Sequence, residues 1–200
     1  MIIPRLERLE DGVAFDDLAP AFIMLLMELP ELLGPDQPDP VKRRLFPDAA
    51  GNEETKDEWR RLVHPELFAL LASARGIVTK DLAGLKPSGA DPDLGTWRLE
   101  IPAAHVTGWI SALNAGRLAL GAVHEIENAD DMHPAFDVGD PDGELELDAL
   151  HVAVVKIHLL GELQAMLIMD HHPSPEIDPS DFDDYFDHDD DDDENDDESG

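Results

Sequence analysis

The chain contains no cysteine, which excludes disulfides, thiolate metal sites and cysteine nucleophiles and suits a reducing compartment. It is also short of positive charge, with 14 Lys and Arg against 46 Asp and Glu for a formal net charge of -32. A field of that sign repels nucleic-acid phosphates and anionic membranes and favours cations or basic protein surfaces, so no direct nucleic-acid binding is expected. Long apolar runs are scarce. Met1-Ile2-Ile3-Pro4 is followed at once by Arg5, Glu7 and Arg8, which is not the pattern of a secretory signal. Of the two most apolar stretches, 21–29 is too short to span a bilayer and 149–169 carries Lys156, His158 and Glu162. A cytoplasmic protein with no membrane association is expected. No phosphate-cradling glycine loop, nucleophile elbow or paired-histidine protease motif occurs either. An enzyme is therefore disfavoured.

What is present reads as one helical domain over 1–169 and an acidic tail over 170–200. Sixteen of the acids and no Lys or Arg fall in 170–200, and a segment of this composition is expected to be disordered. The acidity, with only five lysines in the chain, fits adaptation to high salt as well as it fits attraction of a basic partner. Glu10-Asp11-Gly12 between Leu6–Leu9 and Val13–Phe15 predicts an amino-terminal hairpin. Leu18, Phe22, Leu25, Leu26, Leu29, Leu32 and Leu33 recur at helical spacing, with Asp17 as the expected cap, Gly34 as the stop and Pro30 as a point of kinking or splitting. A short basic helix over Val41–Leu45, a helix capped by Asn52, and another from Pro65 to about Leu85 follow. Trp97-Arg98-Leu99-Glu100-Ile101 alternates as a half-buried strand that would join the hairpin. Two long helices complete the pattern, from Pro102 to about Ile126 and, capped by Asp148, over about 150–169. The second is apolar around most of its circumference and is expected at the centre. Gly108, Gly116 and Gly121 in the first point to close packing. The expected fold is mainly α: a compact helical bundle with a small two- or three-stranded antiparallel sheet and the acidic tail.

Three stretches carry a family resemblance: Arg44-Leu45-Phe46-Pro47-Asp48-Ala49, Glu58-Trp59-Arg60-Arg61-Leu62, and Trp109-Ile110-Ser111-Ala112-Leu113-Asn114 with Arg117-Leu118-Ala119-Leu120-Gly121. In order and spacing the chain resembles a bacterial, mostly actinobacterial family catalogued as domain of unknown function 2017, over about residues 18–170. The resemblance implies a helical domain often encoded beside the adaptor that feeds substrates to the Clp protease, hence a link to regulated proteolysis. It implies no catalytic residues. The acidic tail, and Gly116 where a bulkier residue is expected, depart from the family pattern.

Candidate chemistry is sparse. Asp148, His151, His158 and Glu162 fall on one stripe of the last helix and are the candidate metal ligands. The two histidines are separated by about 10 Å of helical rise, so one ion would need ligands from another helix. The competing reading is a solvated strip on an apolar helix. No cofactor is expected beyond a divalent cation, which the Asp-rich tail could also gather weakly. Asn114 and Arg117, one turn apart, read as a structural polar pair, with anion binding as the alternative. Phe182, Tyr185 and Phe186 at helical spacing within Asp178–Asp197 suit a basic, apolar groove. The basic cluster Lys42, Arg43, Arg44, Arg60 and Arg61 is a counterpart that would hold the tail in cis. Three functions remain: a non-enzymatic interaction or regulatory module with a protein partner, a metal-binding protein or metal-dependent enzyme using the last helix, and an acidic mimic of nucleic-acid charge. The leucine-rich first helix and apolar last helix leave a homodimer open.

Overall fold

A computed structural model describes residues 4–88, 95–126 and 148–171. The amino-terminal hairpin forms as its Asp-Gly turn predicts, from β1 (Arg5–Leu9) and β2 (Gly12–Leu18). β4 (Trp97–Pro102) pairs with β2, and β3 (Lys86–Pro87) adds a short fourth strand, giving an antiparallel sheet in the order β1-β2-β4-β3. The register sets Leu6 opposite Phe15, Val13 opposite Ile101 and Phe15 opposite Leu99. One face is therefore apolar and packs on the helices, while Glu7, Asp16, Arg98 and Glu100 occupy the other.

Asp17 does not cap the first helix. It lies in the left-handed region at φ 58 where the β2–β4 register shifts between Phe15 and Leu18, and Arg5 donates to its carboxylate. The irregularity resets the alternation, and Leu18 is fully buried as a result. Helix α1 (Pro20–Leu32) starts instead at Ala19 without a side-chain cap and buries Phe22, Leu25, Leu26 and Leu29. Pro30 sits in its last turn, removes one amide donor and does not split it. Then come α2 (Asp39–Leu45), α3 (Glu53–Leu62) and α4 (His64–Leu82), the last two separated only by Val63. Asn52 caps α3 as expected, accepting from the Thr55 amide at 2.9 Å. A 3-10 turn (Ala103–His105) leads from β4 into α5 (Val106–Val123), and α6 spans Ala149–His171.

The central helix is α5, correcting the expectation that placed α6 there. It packs against α1, α2, α4 and α6 and buries Trp109, Ala112, Leu113, Ala115, Gly116, Ala119 and Leu120. Its glycines mark the closest approaches: a Cβ on Gly116 would stand 2.5 Å from Leu29 Cδ1 and 3.3 Å from Leu160 Cδ1, and one on Gly108 2.7 Å from Ile77 Cδ1. α6 instead buries a single stripe, Ala153, Val154, Ile157, Leu160, Leu163 and Leu167, and leaves Val152, Ile168 and Met169 exposed. It also runs two residues past the expected domain boundary at 169, because Arg8 on β1 binds both the carboxylate and the carbonyl of Asp170. The disordered tail expected beyond it lies outside the described residues.

Candidate protein-docking groove

Helices α3 and α4 form an arm that the core covers poorly. α3 buries no residue, and Trp59, Leu62, Phe68 and Leu70 along the arm are exposed. The continuous stretch Glu53–Leu82 is, like Ala149–Asp170, long and apolar enough to cross a membrane by length and composition, yet only 11% of its most apolar window is buried. α3 holds its place through polar ties to the segment that follows α2. The Trp59 indole N–H donates to the Pro47 carbonyl at 3.0 Å, and the Arg60 guanidinium grips both oxygens of Asp48 while donating to Asp57 at 3.0 Å. The side-chain bond from Arg60 holds the Asp48 carboxyl below the usual carboxylate range. Two of the sequence stretches that carry the family resemblance thus fold directly against one another, and the third forms most of α5.

Between α2 and this arm lies an open groove of about 530 Å³ lined by Lys42, Arg43, Phe46, Pro47, Asp48, Arg60, His64 and Phe68. Its floor is aromatic: Phe46 stacks on Phe68 with ring centroids 4.0 Å apart and planes 19° apart, and His64 tilts against Phe46 at 6.0 Å. A smaller cleft of about 170 Å³ continues past Lys42, Phe46 and Phe68 to Leu33, Leu71 and Arg75. The rim is cationic. Among the described residues, Lys42, Arg43 and Arg44 have no carboxylate within ion-pair distance. The arrangement offers stacking surface and, at Lys42 and Arg43, positive charge that meets no carboxylate among the described residues.

Of the basic cluster expected from the sequence, Lys42, Arg43 and Arg60 reach the groove, whereas Arg44 is exposed outside its lining and Arg61 approaches Glu58 at 3.9 Å. Phe182, Tyr185 and Phe186 lie outside the described residues. The metal stripe does not assemble. Asp148 and His151 meet at the start of α6, where the Asp148 carboxylate accepts from the His151 amide at 2.8 Å and lies 2.8 Å from its ring Nδ1. His158 Nδ1 instead bonds the Val154 carbonyl at 2.8 Å and Glu162 points to solvent. Among the described residues no three His, Asp or Glu gather closely enough to hold a metal ion. The Asn114–Arg117 pair does not form either: Asn114 is exposed, and Arg117 crosses to α6, where it donates to Gln164 at 3.0 Å and lies over Gly161. Helical periodicity places residues on a face but does not reveal which neighbour meets them.

Sequence reading missed two features. The Phe46–Phe68 floor joins residues 22 positions apart, and no local pattern in the sequence signals it. The second is a buried Asp81 on α4, which accepts from the Trp109 indole at 2.9 Å and faces His105 Nδ1 at 2.9 Å. Its signal was an acid at a core position of the period set by Ala74, Val78 and Leu82.

No solved structure matches the chain. A Mycobacterium leprae protein named "Putative oxidative stress regulator AosR" is 34% identical over 94 residues, which is 44% of this chain and 43% of that protein, so the match spans less than half of either. The family model described as Domain of unknown function (DUF2017) matches residues 6–170, and the chain belongs to that family.

Proposed function

We propose that the protein is a non-enzymatic regulator that acts by binding a protein partner at the groove between α2, α3 and α4. The observation that carries this reading is the pairing of the Phe46–Phe68 stack, half-buried at Phe46 and exposed at Phe68, with Lys42 and Arg43, which meet no carboxylate among the described residues. In a chain of formal net charge -32, a cationic aromatic groove selects acidic segments bearing apolar anchors, since the surrounding negative field repels acidic surfaces that cannot seat there. Desolvated aromatic residues ringed by charge are a common composition of interaction hot spots. The name of the Mycobacterium leprae relative is in keeping with a regulator. The resemblance also suggests the machinery of regulated proteolysis as the partner class.

The test is affinity capture from a native lysate with the intact chain and with the variant K42E/R43E/F68A, each shown by circular dichroism to be folded. The expected result is one stoichiometric partner with the intact chain and none with the variant. Equal recovery of that partner by both would move the binding surface elsewhere and end this reading.

A further inference from the structure

The groove has a candidate occupant within the same chain. We propose that residues 178–197 bind it in cis, with Phe182, Tyr185 and Phe186 on the Phe46–Phe68 floor and the flanking aspartates against Lys42 and Arg43, so that a partner must displace the chain's own tail. This rests on the groove being the partner site and adds its regulation.

Charge complementarity is the first argument. Between Asp178 and Asp197 lie thirteen acids and no Lys or Arg, facing a rim whose Lys42 and Arg43 meet no carboxylate among the described residues. Acidity alone would make only a solvated segment, but three aromatic residues within five positions add apolar anchors that solubility does not need. Reach is the second argument. α6 ends beside the β1–β2 turn, where Arg8 holds Asp170. The carboxyl end of α4 borders the same turn, because Asp81 and Gly84 share a cleft with Leu9 and Asp11. From Asp81 back to Phe68 is about 20 Å of helix. The twelve residues from Asp170 to Phe182 extend to about 40 Å, enough to cover that path with slack. A short tether confers a millimolar effective concentration, so even a weak intrinsic affinity fills the site.

The absence of cysteine makes a clean test available in the intact 200-residue chain. Thiols introduced as S73C, exposed on α4 five positions after Phe68, and D184C take a donor and an acceptor dye, and energy transfer is read at low salt. High transfer is expected. It should fall at least twofold in K42E/R43E, in F182A/Y185A/F186A and at 1 M salt, where ion pairing is screened. Transfer unchanged by all three perturbations overturns the proposal. Transfer between singly labelled copies mixed together also overturns it, since the occupant would then be a second molecule. The tail variant F182A/Y185A/F186A separates this inference from the reading beneath it: it should capture more partner than the intact chain, whereas a groove that binds no partner captures none with either.

Discussion

An aspartate whose side chain is 5% exposed ties three elements through one carboxylate, accepting from Trp109 on α5 and facing His105 of the 3-10 turn from its place near the end of α4. Removing it leaves the buried Trp109 indole N–H without a partner and takes the acceptor from the part-buried His105 ring, and an orphaned buried donor carries the full cost of desolvation. Asp81→Ala should lower the unfolding free energy by about 3 kcal/mol, whereas Asp81→Asn, which keeps one oxygen for Trp109, should cost about 1 kcal/mol. Urea denaturation of the two variants measures the difference, and equal losses would show that the second carboxylate oxygen and its charge, which Asn does not supply, carry the whole effect. A second aspartate gives a pH signature. The His151 backbone amide, then its side chain, holds the Asp148 carboxyl below its ordinary value. A carboxyl lowered on folding stabilises the folded state above its unfolded value, and the contribution is lost as pH falls through the lower folded-state value. The protection of the His151 amide, its exchange rate relative to the intrinsic rate at the same pH, should therefore fall on acidification below the ordinary aspartate range, and Asp148→Asn should keep the cap while abolishing that pH dependence.

At the scale of the element, α5 shows how a helix rich in small residues becomes a core. Ala112, Ala115, Gly116 and Ala119 let α1 and α6 approach closely, so the propensity lost at Gly116 is offset by contacts from Leu29 and Leu160. Gly116→Ala gains helix propensity of about 1 kcal/mol but drives a methyl into Leu29, and a net loss of about 1–2 kcal/mol in thermal or chemical unfolding is expected. The end of the same helix offers the opposite case. Glu125 adopts φ 55, and the Ile126 amide returns to the Gly121 carbonyl at 2.8 Å, the closing bond of a Schellman turn. A residue with a Cβ is strained there, so Glu125→Gly should raise the unfolding free energy by about 0.5–1 kcal/mol. A stability change of either sign larger than that would mean the Glu125 side chain has a separate role.

For the whole molecule, burial is uneven, and the unevenness coincides with the groove. α5 is packed on several sides, whereas α3 buries no residue and is held by Trp59, Arg60 and its Asn52 cap. Elements with few buried apolar contacts open locally at a fraction of the global unfolding free energy. Native-state hydrogen exchange should show α3 amides exchanging about a hundredfold or more faster than those at Trp109–Leu113, a gap that narrows when a ligand occupies the groove. Uniform protection across α3 and α5 would mean the arm is integral to the core and unsuited to adapt to a partner.

Much of the architecture was present in local pattern. The Asp-Gly turn, the Asn52 cap, the alternation of Trp97–Ile101 and the apolar periods of α1, α4 and α5 each depend on neighbours within a few positions, where sequence and geometry are tightly coupled. The family was legible as well, and its model covers residues 6–170. What the tertiary structure alone decided was which faces meet. It made α5 the central helix and moved α6 outward. It sent Arg117 to Gln164 instead of Asn114, separated His158 from the Asp148–His151 pair, and drew Phe46 and Phe68 into one floor. Helical periodicity fixes the direction of a side chain about its own axis but carries no information on the rotation and crossing of the partner helix. That relation is set by the packing of side chains distant in sequence, and in this chain the groove is built from such contacts.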